Sequence, residues 1–337
     1  MRKHNLLYLL VAALLVFAAG CGSDDDPVAP TPTPVNESQV LAEYLEANGD
    51  YINSTGCPSI VTASAVYQDI NANPPTQYII DLRSATDFAA GHIQGAHNVA
   101  LADLLTHIRG INPGSFNRVV VVCYTGQTSA YGTGLMRLAG YSNVTSMKFG
   151  MCAWESSFAT TRWLANIGNS RASQFTTSPA SKAAAGNLPT LATGKTTGPE
   201  ILAVRIDTLL RRGYTEATVS HTTVFNGLSN YYITNYWSAA EYADPGHIPG
   251  AIQYTPRSDL KLTTYLKTLP TDKPVVVYCY TGQTSSFIAA YLRLLGYDAK
   301  SLLYGANSMI YDLMQARSMT TFKAADIMGY PYVTGPQ

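Results

Sequence analysis

Cysteine is the side chain here best suited to covalent chemistry, and two cysteines sit in identical surroundings. Cys-Tyr-Thr-Gly-Gln-Thr-Ser runs from Cys123 to Ser129 and recurs 156 positions later from Cys279 to Ser285. A thiol reacts as its thiolate, and a helix N-terminus stabilises that form. Free backbone N–H groups at such a terminus hold anions. Gly126 and Gly282 let the backbone curl so that several N–H groups converge. Thr125, Thr128, Ser129, Thr281, Thr284 and Ser285 add hydroxyls. The segments Tyr124–Ser129 (with Gln127) and Tyr280–Ser285 (with Gln283) are therefore candidate anion cradles, with Cys123 and Cys279 as nucleophiles. A buried structural cysteine is the plainer alternative. The Gly and hydroxyl pattern that travels with both cysteines argues against it.

The flanking elements must position these loops. Val119–Val122 and Val275–Tyr278 are apolar runs of strand type, and each loop leads into a helical pattern ending at Gly140-Tyr141 or Gly296-Tyr297. Short β-like runs alternate with helical patterns throughout both halves. The expected fold class is α/β: two domains, each a mainly parallel sheet flanked by helices, with each cysteine at the carboxyl end of a central strand. The strands expected in the first half are 78–82, 98–99, 119–123 and 144–147, with helices over 101–108 and 129–139. In the second half the strands are 231–234, 275–279 and 299–303, with helices over 200–211, 258–267 and 286–295.

The ordered motifs carry a resemblance. Asp81-Leu82-Arg83, Phe88 to Ala96 (containing Gly91-His92-Ile93), the Cys123 loop, Leu138 to Tyr141 and Phe149 to Trp154 follow one another in the first half. Gly246-His247-Ile248-Pro249-Gly250-Ala251, the Cys279 loop, Leu294 to Tyr297 and Tyr304-Gly305 follow in the second. The chain resembles the rhodanese family, over roughly 55–165 and 200–316. That resemblance implies sulfurtransferase chemistry: a thiolate takes the outer sulfur of a donor such as thiosulfate, becomes a persulfide, and passes the sulfur to a thiol or cyanide. It implies no cofactor and no metal.

Two departures matter. Asn235 and Trp237 stand where the first repeat has Asp81 and Arg83, a pair read as a structural ion pair. Neither loop contains Lys or Arg, which predicts weak thiosulfate binding or a different sulfur or selenium donor. Cysteine phosphatases clamp phosphate with an Arg six residues after the cysteine. Ser129 and Ser285 occupy that position, so phosphatase chemistry is not expected. His92 and His247 are read as bracing a turn rather than as bases.

Residues 1–20 read as an export signal, with Arg2 and Lys3 before an apolar core at 6–17. Phe17-Ala18-Ala19-Gly20-Cys21 resembles a bacterial lipobox, which implies lipidation at Cys21. The Pro/Thr-rich stretch 21–37 is a tether. Domain boundaries follow at 38–165 and 199–316, with a linker at 166–198 and a tail at 317–337. The expected location is the cell envelope, lipid-anchored, on the outer membrane or periplasmic face in a Gram-negative host.

The chain has 22 basic and 22 acidic residues, and loss of Arg2 and Lys3 leaves a net charge of −2. No basic stripe is present, which argues against nucleic acid as a partner. Cys57 and Cys152 remain, and an oxidising compartment would allow them to pair. Cys152 could instead resolve a Cys123 persulfide. The leading functional expectation is an exported, membrane-anchored sulfurtransferase with one or two working cysteines. The competing one is a non-catalytic oxyanion-binding or partner-binding lipoprotein, or a carrier of sulfur, selenium or tellurium among envelope redox proteins.

Overall fold

The structure is a computed structural model and describes residues 36–336. The expected signal segment, Cys21 and all of the tether but its last two residues lie outside the described residues. Among the described residues no helix is long and apolar enough to cross a membrane.

Two five-stranded parallel sheets form the framework. The first contains β1 (Ile60–Val61), β2 (Gln77–Asp81), β3 (Ala96–Asn98), β4 (Arg118–Val122) and β5 (Val144–Met147). Its spatial order is β1-β5-β4-β2-β3. The second contains β6 (Thr218–Val219), β7 (Tyr232–Asn235), β8 (Ile252–Gln253), β9 (Val275–Tyr278) and β10 (Ala299–Leu302), in the equivalent order β6-β10-β9-β7-β8. The valine runs of β4 and β9 are central and buried on both faces, as parallel strands between helical layers must be. Asn235 pairs with Tyr278 as Asp81 pairs with Val122, so the two repeats align as their sequences suggest.

Four helices place the loops: α1 (Glu37–Ala47), α2 (Gln127–Leu138), α3 (Gly198–Arg212) and α4 (Gln283–Leu294). Helices α2 and α4 follow the two cysteine loops and pack against each other, while α1 packs on α3. One buried cluster runs through this interface, from Tyr131 and Leu135 on α2 to Phe287 and Tyr291 on α4. A separate cluster covers the opposite face of each sheet. The two repeats thus share a core.

The outer segments are exchanged. After the first repeat, residues 166–197 run over the second. Thr176 and His247 trade backbone hydrogen bonds at 2.9 Å, and Leu188 is buried in the shared core. After the second repeat the tail returns to the first. Phe322 is buried beside Phe149 and Trp163, Tyr330 stacks on Tyr67 at 3.9 Å, and Val333 trades backbone hydrogen bonds with His92. His92 and His247 therefore anchor two related straps. Their rings stack on Phe88 and Tyr242, and each Nδ1 bonds a backbone carbonyl.

The helix expected over 258–267 is absent. The segment forms turns and a short 3-10 stretch at Leu266–Thr268. Asp259 accepts a hydrogen bond from the Thr255 backbone N–H and pairs with Lys182, while the Thr264 hydroxyl accepts from the Lys261 backbone N–H. These local bonds offer the backbone an alternative to the helical ladder. Edge strands β1, β6 and β8 have two residues each, too short to leave a period in the sequence.

Candidate functional site

Each cysteine lies where its central strand ends and the chain turns into a helix. Gly126 adopts φ 81° and Gly282 φ 79°, in the left-handed region that only glycine enters freely. The turn folds the helix N-terminus back over the sulfur. At Cys123 the backbone N–H groups of Gly126 and Ser129 donate to Sγ at 3.2 and 3.3 Å. The thiol donates to Ser129 Oγ at 3.4 Å, and Ser129 Oγ is 2.8 Å from Ser146 Oγ on β5. At Cys279 the Ser285 N–H donates at 3.3 Å, and the Ser285–Ser301 hydroxyl pair lies behind it. Ser146 and Ser301 lie outside the loop motifs that mark the site in the sequence. Their shared position on β5 and β10 was the signal available.

Other loop residues divide by role. Tyr124 and Tyr280 donate from their hydroxyls to Asp87 and Glu241, which fixes both rings beside the sulfur. Thr125 and Thr128 line a cavity of about 420 Å³ with Cys123; Thr284 lines one of about 250 Å³ with Cys279. The two cavities share no lining residue. Thr281 is buried and accepts from the Gln283 N–H. Trp163 Nε1 donates to the Thr125 carbonyl.

The glutamines cross between repeats. Gln127 Oε1 accepts from the Tyr304 N–H at 2.8 Å. Gln283 Oε1 accepts from the Phe149 N–H at 3.1 Å, and its Nε2 donates to the Gly126 carbonyl at 3.3 Å. A Cβ on Gly126 would lie 2.3 Å from Gln283 Nε2, and one on Gly282 would lie 2.4 Å from Gln127 Oε1. Each loop glycine thus serves its own turn and leaves room for the other repeat's amide. Gln127 still lines the first cavity, whereas Gln283 does not line the second.

The positive charge that the loops lack arrives from other segments. Arg83 and Arg162 line the Cys123 cavity, with guanidiniums 4.9 and 4.5 Å from the Tyr124 ring centre. Arg83 pairs with Asp81 at 2.6 Å, yet its Nη1 has no partner among the described residues. Burial pulls the Arg83 pKa down, but the Asp81 carboxylate outweighs it and the net shift is upward. In the second repeat Trp237 replaces Arg83 and stacks on Tyr280 at 5.6 Å. There Arg257 lines the Cys279 cavity instead. These cations come from parts of the chain distant from the loops, so the loop motifs carry no sign of them.

The expected Cys57–Cys152 bridge is not formed, and all four described cysteines are free. Cys57 belongs to the core shared by the repeats and lines the Cys279 cavity. Cys152 belongs to the cluster on the other face of the first sheet, where its thiol donates to the Phe158 carbonyl. The sheet separates them. Burial pushes both thiols up to about 12. Cys152 is fully buried and does not line the Cys123 cavity, so the structure gives it no open route to a persulfide.

Among the described residues no cluster of His, Cys, Asp and Glu has a metal-holding arrangement. The sequence model of the rhodanese-like domain matches residues 62–157 and 237–309, which together span half of the chain. The chain is similar to the thiosulfate sulfurtransferase GlpE of Pseudomonas putida strain GB-1, 34% identical over 80 residues. That match covers 24% of this chain and 71% of that protein. The corresponding protein of Pseudomonas fluorescens strain SBW25 is 30% identical over 80 residues, covering 24% and 72%. A crystal structure of a thiosulfate sulfurtransferase from Pseudomonas aeruginosa matches at 17% identity and a TM-score of 0.29, covering 89% of this chain and 49% of that one. The human single-domain sulfurtransferase TSTD1 matches at 22% identity and a TM-score of 0.22, covering 26% and 88%. With two aligned sheets, two matched cysteine loops and both spans recognised, the chain belongs to the rhodanese-like domain family and carries that domain twice.

Proposed function

We propose that this chain is a sulfurtransferase working through Cys123, with Cys279 as a second and weaker acceptor of sulfur. The observation that carries this is the convergence of two backbone N–H groups on Cys123 Sγ at the start of α2, beside a cavity lined by two arginines. Donors fixed in place stabilise a thiolate and then a persulfide without reorganising. Cys279 receives one such N–H and has one arginine at its cavity.

With thiosulfate as donor, the Cys123 thiolate attacks the outer sulfur. A Cys–S bond forms, the S–S bond of thiosulfate breaks, and sulfite leaves with the bonding pair. The inner N–H groups hold the persulfide anion. A thiophilic acceptor, cyanide or a thiol, then attacks the terminal sulfur, and the cysteine leaves as thiolate. No external oxidant is required. The lipobox-like residues before Cys21 support placing this chemistry in the cell envelope on a lipid anchor.

One spectrum tests both parts. The intact mass of the full chain from a membrane fraction is measured after thiosulfate treatment and desalting without reductant. A main gain of one sulfur lost in Cys123→Ser and a smaller second gain lost in Cys279→Ser, both removed by cyanide, are expected, together with an acyl mass that is lost in Cys21→Ser. No sulfur gain on reduced cysteines would reject thiosulfate as donor and favour a binding or other chalcogen-carrier role. An unacylated mass would reject the anchor.

A further inference from the structure

The second site departs from the first at the position where a donor anion would need positive charge. Trp237 has taken the place of Arg83, and the loop supplies no cation. Within the Cys279 cavity stands Arg257, on the turn between β8 and the following segment. Its backbone is at φ 62°, a region that non-glycine residues enter only when surrounding bonds hold them there. Two bonds do so. Its N–H donates to the Tyr236 hydroxyl at 3.0 Å, and its side-chain Nε donates to the Cys57 carbonyl at 2.8 Å.

The Cys57 bond fixes one edge of the guanidinium, and among the described residues its terminal nitrogens make no hydrogen bond. Among the described residues Arg257 forms no ion pair: Asp259, two positions on, is paired with Lys182. An uncompensated, oriented guanidinium beside a nucleophilic sulfur suits the oxygens of a small sulfur oxyanion, which it can bind through two N–H groups at once. The residue that orients it belongs to the first repeat. By strand register, Ile60 faces Ser146 as Thr218 faces Ser301, so Thr215 is the counterpart of Cys57. Thr215 lines the Cys123 cavity. Each site is walled by the other repeat, but only the second draws its cation's anchor from across the interface.

We propose that Arg257 is the specificity-determining residue of the second site, presenting its guanidinium to a sulfur oxyanion bound at Cys279 and held in that pose by the first repeat through the Cys57 carbonyl. This deepens the sulfurtransferase reading, on which the substrate class rests. It also makes the second repeat dependent on the first for donor recognition.

The test reads local charge rather than sulfur transfer, so it stands or falls separately from the persulfide measurement. The full chain is alkylated with iodoacetate, an anion, or iodoacetamide, its neutral analogue, and each cysteine is followed by peptide mass spectrometry. The iodoacetate-to-iodoacetamide rate ratio at Cys279 is expected to fall about fivefold or more in Arg257→Gln, with the ratio at Cys123 unchanged. An unchanged ratio at Cys279, or an equal fall at both cysteines, overturns the proposal. If Arg257→Gln fails to fold, seen as new alkylation of buried Cys152, salt titration of the unaltered chain decides. A ratio at Cys279 that falls with added NaCl supports the cation; a flat ratio overturns it.

Discussion

The four described cysteines are all buried, and what differs is the element that surrounds each sulfur. Cys123 and Cys279 lie under helix N-termini whose N–H groups reach the sulfur. Cys57, at the edge of the Cys279 cavity, and Cys152 belong to apolar clusters, where burial pushes their pKa up to about 12. The folded state therefore keeps protons on Cys57 and Cys152 that the unfolded chain releases near the ordinary thiol value of 9.0. Their contribution to stability is complete below pH 9 and is lost as pH rises toward 12. Stability should fall by about 1 kcal/mol per thiol per pH unit just above pH 9. Urea unfolding at pH 8.5 and 10 checks this, and a Cys57→Ala/Cys152→Ala chain should show a flatter dependence. A stability that does not change across that interval would contradict the burial argument.

Among the elements, the crossed glutamines tie two helix N-termini together. Gln283 bonds the carbonyl of Gly126, the residue whose N–H donates to Cys123 Sγ, and also satisfies the buried Phe149 N–H. Gln283→Ala should cost about 1–3 kcal/mol by leaving that N–H unpaired. It should also slow sulfur loading of Cys123 more than that of Cys279, since only the first cradle loses its brace. Stopped-flow loading, resolved by peptide mass, measures the two rates. Equal slowing at both cysteines would mean a general loss of packing instead. The strands, loops and helix starts around these residues were legible in the sequence, because valine runs, glycine and hydroxyl residues act over a few positions. The glutamine crossing was not legible, since nothing in Thr-Gly-Gln-Thr says which chain segment will lie opposite.

For the whole molecule, the exchanged straps make the two repeats one folding body. Residues 320–336 carry Phe322 into the first repeat's core and lay Tyr330 on Tyr67. Ending the chain after Met319 would uncover the Trp163 and Phe149 rings and remove a fully buried Phe, a loss of at least about 3 kcal/mol. The first repeat should then melt first, visible as a new low-temperature calorimetric transition and as earlier alkylation of Cys152. A melting profile unchanged from the full chain would show that the tail adds nothing.

The sequence by itself determined the tandem organisation, the parallel α/β class and the two cysteine loops, because repeated motifs and period-based burial are local properties of the chain. It also located the Asp81–Arg83 pair and its loss in the second repeat. Only the tertiary structure decided that Cys57 and Cys152 lie on opposite sides of a sheet, and that 258–267 is not helical. It likewise decided that the sites' positive charge comes from Arg83, Arg162 and Arg257. Those outcomes depend on which surfaces meet when α2 packs on α4 and the straps cross over. Contacts between residues far apart in sequence leave no period for a reader to find.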